Sequence, residues 1–124
     1  MIALSIAMGG AFGALARFLV NQLMISNGLG IAGLSTLTVN VAGSFAIGCC
    51  FVIFERFSAS DAVRLGLMVG FLGAFTTFST FSLELVSDLQ AGNFLRSALY
   101  AAASVLFCLF ACYAGIGVAR SIID

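Results

Sequence analysis

The most notable functional groups in this sequence are five side-chain hydroxyls in one short apolar segment. Over residues 73–82 the chain reads GAFTTFSTFS. The five hydroxyl residues are Thr76, Thr77, Ser79, Thr80 and Ser82. Serine and threonine hydroxyls either replace lost backbone hydrogen bonds or bond back to the preceding helical turn. The segment therefore predicts either an interrupted helix or a continuous helix that satisfies its own hydroxyls, and a run of five favours the interruption.

An interruption near Thr76 and Thr77 would create two kinds of ion site. A second half-helix beginning around Phe78 points its free N–H groups and the positive end of its dipole at the break, which favours an anion. The carbonyls that end the first half have the opposite character and suit a hard cation such as Na⁺. Both sites are expected at the break.

Three other side chains, two within this segment and one far from it in the sequence, have a chemical and a structural interpretation. Phe78 and Phe81 lie three residues apart, so they share a helical face. Their positive ring edges would attract a small anion without holding it as a fixed charge does, although ordinary packing is the alternative. The Asn40 amide can donate to an anion or form an interhelical hydrogen bond.

Two charged residues, Arg17 and Glu84, fall inside otherwise apolar stretches. Arg17 can extend to the membrane interface, Glu84 can cap a helix or pair with Arg17, and either can belong to a vestibule. The chain has no His, and its four cysteines lie in apolar surroundings without zinc or disulfide spacing. No nucleophile has a nearby base, so we predict that the chain is not an enzyme.

The elements that position these residues follow from composition. Hydrophobic residues make up 62% of the 124 positions and charged residues 8%, which excludes a soluble domain. The absence of Lys and the net charge of zero exclude nucleic acid as a partner. We therefore predict an all-α membrane protein with a single four-helix transmembrane domain over residues 1–124. The four spans are expected at about Ile2–Ile25, Ile31–Phe54, Leu65–Leu89 and Phe94–Ala119. Ser60, which precedes Asp61, is expected to begin the helix of the third span.

The placement of arginines and glycines predicts how copies of the chain meet. Arg56, Arg64 and Arg120 would lie on one side of the membrane, against Arg96 on the other, joined there by Arg17 if that residue reaches the interface. So small a bias permits insertion in both orientations and pairing with an inverted copy. Close helix contacts are expected at two groups of glycines, which are Gly66, Gly70 and Gly73, and Gly9, Gly10 and Gly13.

The segment 73–82 closely resembles the signature of the Fluc (CrcB) family of fluoride ion channels. Supporting matches are GGAFGALARF at 9–18, TVNVAGSF at 38–45 and AGN at 91–93. The resemblance covers all four spans. It implies an antiparallel, dual-topology homodimer in the inner (plasma) membrane of a microbe, with two pores that let fluoride leave the cell passively and exclude chloride.

The resemblance also implies roles for individual residues. By position, the anion pathway comprises Asn40, Phe78, Ser79, Thr80, Phe81, Ser82, Tyr100 and Ser104. Cys108 stands one turn beyond Ser104, where we expect another hydroxyl. A structural Na⁺ at the dimer centre would be held by the backbone carbonyls of Gly73 and Thr76 from both chains. The match assigns no role to Arg17.

Two other functions were weighed against a channel. A proton-coupled exporter of the small multidrug resistance type shares the length and the four spans, but it needs a carboxylate in the first span, and residues 1–25 contain none. A membrane subunit without a transport function predicts no polar cluster at the middle of a span, unlike residues 76–82.

Overall fold

The computed structural model describes residues 1–123 as helices joined by short turns. Its elements are α1 (Ile2–Ser26), α2 (Leu34–Arg56), α3 (Asp61–Leu65), a π-helical segment (Gly66–Leu72), α4 (Gly73–Phe75), α5 (Phe78–Gln90) and α6 (Phe94–Ile123). We call α3 through α5 the third span. The third span and α1, α2 and α6 are each long and apolar enough to cross a membrane. This confirms the predicted all-α, multi-pass membrane fold.

The ends of the helices differ from the predicted bounds for local reasons. Helix α2 begins at Leu34, because Gly33 before it has a positive φ of 84° and cannot continue a right-handed helix. The helix of the third span begins at Asp61, ahead of the apolar stretch from Leu65, and the Ser60 hydroxyl accepts a hydrogen bond from the Val63 N–H at 3.4 Å. This is the helix start expected at Ser60. Helix α6 continues past Ala119 to Ile123.

The helices pack as two pairs, and glycines set the distances within them. Helix α1 lies along the first half of the third span, where a Cβ on Gly9 would collide with the Gly66 carbonyl and one on Gly13 with the Phe71 carbonyl. Such close backbone approach is how small residues hold membrane helices together. Gly70 meets α1 in the same way, so Gly66 and Gly70 do form close helix contacts, but within one chain and not between copies.

Gly73 departs from that glycine face. It is exposed, and the nearest atom to a Cβ built on it would be the Met68 carbonyl oxygen, at 3.8 Å. A π-helical turn bonds five residues back instead of four, so the segment before Gly73 shifts its register relative to Gly66 and Gly70. Gly73 therefore contributes nothing to the contact with α1.

The second pair is α2 against α6. Gly48 lies against the Cys112 carbonyl and Gly115 against the Phe45 carbonyl, with no room for a Cβ at either glycine. Across the two pairs, Gly43 of α2 contacts the Thr76 side chain. The middle of the third span is thereby fixed against α2.

Candidate anion pathway at the helix break

The third span is interrupted where the sequence predicted. Helix α4 ends at Phe75, and Thr76 and Thr77 are extended, with ψ angles of 157° and 122°. Helix α5 then begins at Phe78. We call Thr76 and Thr77 the break. Extended backbone at membrane depth requires partners for its polar groups.

Asn40 supplies the partners of Thr77. Its Oδ1 accepts from the Thr77 N–H at 2.7 Å, and its Nδ2 donates to the Thr77 carbonyl at 2.9 Å. The interhelical hydrogen bond, one of the two alternatives for this amide, is therefore present. Nδ2 carries a second hydrogen that these bonds do not use, so donation to an anion by Asn40 stays a prediction.

The hydroxyls near the break divide between two uses. The Thr77 hydroxyl accepts from the Thr80 N–H at 3.2 Å and donates to the Thr80 hydroxyl at 3.0 Å, which makes Thr77 the N-cap of α5. The hydroxyls of Thr76 and Ser82 instead donate to the carbonyls of Leu72 and Phe78, four residues back. The hydroxyls of Thr76 and Ser82 thus bond as they would in a continuous helix.

The break also removes the helical partners of the carbonyls that end the first half of the span, those of Gly73 and Thr76 among them. In an uninterrupted helix the Gly73 carbonyl would accept from the Thr77 N–H, which here donates to Asn40. The Thr76 carbonyl would accept from the Thr80 N–H, which here donates to the Thr77 hydroxyl. The family resemblance assigned the carbonyls of Gly73 and Thr76 to Na⁺, and their loss of helical partners is compatible with a cation ligand.

A cavity of about 520 Å³ opens between α2, the break and α6. We call it the groove. Four predicted pathway residues line it, namely Asn40, Phe78, Phe81 and Ser104. Ser44, Thr76, Thr77, Cys108 and Cys112 are also in its wall, and no charged residue is. Among the described residues, the Ser104 hydroxyl is a buried polar group without a protein partner.

The aromatic residues of the groove differ sharply in exposure. Phe81 is buried, at 8% exposed, whereas Phe78 is 78% exposed. Their ring centroids are 5.4 Å apart with a tilt of 50°, and the Tyr100 ring lies 5.2 Å from Phe81. Tilted rings present edges as well as faces to their surroundings.

A second cavity, of about 380 Å³, lies on the other side of Thr77. We call it the vestibule. Arg17, Glu84 and Thr80 line it, and so does Thr77, which makes the break the wall between the two cavities. Within residues 1–123 Arg17 forms no ion pair with Glu84. The two side chains are therefore not paired in this structure, and both line this second cavity.

Glu84 is held by two hydroxyl donors. Thr36 donates to its Oε1 at 2.8 Å and Tyr100 to its Oε2 at 2.7 Å. Thr36 is 4% exposed, and the Tyr100 ring packs over Gly33. Tyr100 is therefore connected to the vestibule by its hydrogen bond to Glu84 and does not line the groove.

The structure does not bring all the predicted residues together. Ser79 is exposed, and neither Ser79 nor Ser82 lines the groove or the vestibule. Sequence reasoning also missed Thr36. Its signal was present, because Thr36 precedes Asn40 by four residues and so shares its face of α2.

Comparison with known proteins identifies the family. A family model described as CrcB-like protein, Camphor Resistance (CrcB), matches residues 4–116. Relatives named fluoride-specific ion channel FluC include those of Idiomarina loihiensis, 46% identical over 88% of this chain and 84% of the relative, and Hahella chejuensis, 45% identical over 95% and 94%. That of Hydrogenovibrio crunogenus is 49% identical over 91% and 86%. These matches confirm that the chain is not an enzyme. The chain belongs to the CrcB family.

Proposed function

We propose that this chain is a fluoride-selective channel through which F⁻ leaves the cell passively. The observation that carries the proposal is the uncharged groove at the break, in a chain whose relatives are named fluoride-specific ion channel. Its wall offers hydroxyl and amide groups beside aromatic rings, and no fixed cation.

These neutral groups suit an anion that must enter and leave quickly. Fluoride gives up its hydration shell only where N–H, O–H or positive ring edges replace it. The Ser104 hydroxyl and the unused N–H of Asn40 are donors of this kind. Conduction requires binding that is favourable enough for entry and weak enough for release.

The pathway needs a second copy of the chain to be enclosed. Phe78 is 78% exposed and Gly73 is exposed, both at the break, so a single copy leaves the groove open on one side. An inverted copy related by a two-fold axis would cover this side and produce two equivalent pores. The weak arginine bias of the connections permits both orientations in the inner (plasma) membrane.

A Na⁺ ion at the two-fold axis would complete the dimer. The carbonyls of Gly73 and Thr76 have lost their helical partners in this chain. Two copies would bring four such oxygens around one point, where a bound cation supplies the positive charge that they require. The hydrogen bonds that Asn40 and Thr77 make would orient these carbonyls toward the ion.

Efflux from proteoliposomes tests the proposal. With charge compensated by an ionophore, the purified protein should release fluoride and retain chloride, as recorded with ion-selective electrodes. Phe78→Ile and Phe81→Ile keep the bulk but remove the ring edges, so each should slow fluoride release. Phe110→Ile is the matched control, because Phe110 is 72% exposed on α6 and lies outside the groove.

Three results would count against parts of this proposal. Folded dimers that release no fluoride would contradict the channel itself. Unchanged flux in both the Phe78 and Phe81 variants would contradict only the ring-edge contribution. C-terminal reporters that appear on one side of the membrane alone would contradict the inverted pairing.

A further inference from the structure

The hydroxyl and thiol side chains in the α6 wall of the groove are spaced one helical turn apart. Ser104, Cys108 and Cys112 all line it. Both cysteines are free thiols and half-buried. The Ser104 side chain is 8% exposed, and its hydroxyl has no protein partner. One face of α6 thus directs two thiols and an unpaired hydroxyl into one cavity.

We propose that Cys108 and Cys112 form a binding site for a soft, two-coordinate metal cation within the groove. Side chains four apart on a helix are neighbours, with Cβ atoms roughly 5–6 Å apart, and a single ion bound between two thiolates spans such a gap. Thiolate sulfur selects soft ions. Among the described residues, no group of three or more His, Cys, Asp or Glu side chains gathers in one place, so the site lacks the four ligands of structural zinc.

Charge balance favours a divalent ion such as Hg²⁺. Each thiol loses its proton to water as its sulfur–metal bond forms, with no change of oxidation state. Two thiolates then neutralise the two positive charges of the ion. A neutral complex is the one that a groove without charged residues accommodates at the lowest desolvation cost.

The ion would obstruct the proposed anion pathway. Cys108 and Cys112 share the groove with Asn40, Phe78 and Ser104. A metal held between the thiols occupies the outer part of that wall and removes space from a cavity of about 520 Å³. This consequence for flux rests on the proposed function, whereas the binding of metal does not.

The other two cysteines provide a matched control. Cys49 and Cys50 are adjacent in α2, so their side chains do not face each other, and neither lines the groove. The Cys49 thiol donates to the Gly115 carbonyl at 3.4 Å. This pair is therefore not placed to chelate one ion.

The test combines metal stoichiometry with fluoride efflux, using Hg²⁺ as the probe. In Cys49→Ala/Cys50→Ala, one Hg²⁺ per chain should consume both remaining thiols, as counted with a thiol reagent, and should slow efflux at least tenfold. Dithiothreitol should restore the flux. In Cys108→Ala/Cys112→Ala, the efflux measured before and after Hg²⁺ should be the same. The single variants Cys108→Ser and Cys112→Ser should each lose the shared ion, which provides a second measurement if a double variant does not fold.

Either of two findings would overturn the site. One is a separate ion on each thiol of the Cys108 and Cys112 pair, and the other is block that persists when this pair is absent. A protein that binds one Hg²⁺ between the two thiols but conducts no fluoride even before treatment would instead contradict the proposed function and leave the metal site standing.

Discussion

Replacement of Asn40 by Ala would remove both hydrogen bonds that hold the break. The Thr77 N–H and carbonyl, paired at 2.7 and 2.9 Å, would lose their partners. A buried polar group left unpaired costs about 1–3 kcal/mol, or roughly 2–6 kcal/mol for the two. Polar contacts between membrane helices average about 0.6 kcal/mol and reach about 1.7 kcal/mol, or roughly 1–3 kcal/mol for the two. The ranges overlap at about 2–3 kcal/mol, which is the expected loss in the free energy of unfolding.

Denaturation of the purified protein in mixed micelles measures this loss. Ser44→Ala is the matched control, because Ser44 lies one turn further along α2 and lines the same groove. Its side chain takes part in no hydrogen bond in the described chain, so its replacement should change stability by less than about 0.5 kcal/mol. If Asn40→Ala unfolds at the same denaturant concentration as Ser44→Ala, the break is held by something other than this amide.

Two further changes test the packing and the vestibule. Gly13→Ala places a methyl group against a backbone carbonyl of the third span and should cost about 1–3 kcal/mol of stability. The control Gly117→Ala has open space around it and should leave stability unchanged. Equal effects of the two variants in the micelle assay would refute the close contact. Tyr100→Phe removes a donor from the Glu84 carboxylate and should cost about 1.5–3 kcal/mol, while Tyr113→Phe, at a residue 78% exposed, should leave the unfolding transition where it is.

Local chemistry made the spans and the break predictable. Uncharged stretches of sufficient length specify membrane helices. At the break formed by Thr76 and Thr77, the Thr77 hydroxyl itself caps the helix that follows. Interactions within a few residues decide both features. The start of the third span at Ser60 is another example, since its hydroxyl bonds to an amide three residues ahead.

Features that depend on the rotation of one helix against another were not predictable. Asn40 had two interpretations because an amide in a span does not reveal what it faces, and its interhelical hydrogen bonds depend on the position of α2 over Thr77. The exposure of Gly73 follows from the π-helical segment before it, which no residue pattern indicated. Ser79 was assigned to the pathway with its neighbours, but it lies on the exposed side of α5.

Charged and neutral side chains line different cavities, which explains why a protein with few charges is suited to conduct an anion. Arg17 and Glu84 line the vestibule, whereas the wall of the groove holds no charged residue. An arginine about 4 Å from fluoride would attract it by about 4 kcal/mol at an effective dielectric constant of 20, but a neutral donor contributes about 0.5–1.5 kcal/mol. Since about 1.4 kcal/mol is a factor of ten in rate, a cation in the groove would lengthen the residence of the ion roughly a hundredfold. In the proposed pathway the groove therefore binds anions weakly enough to release them.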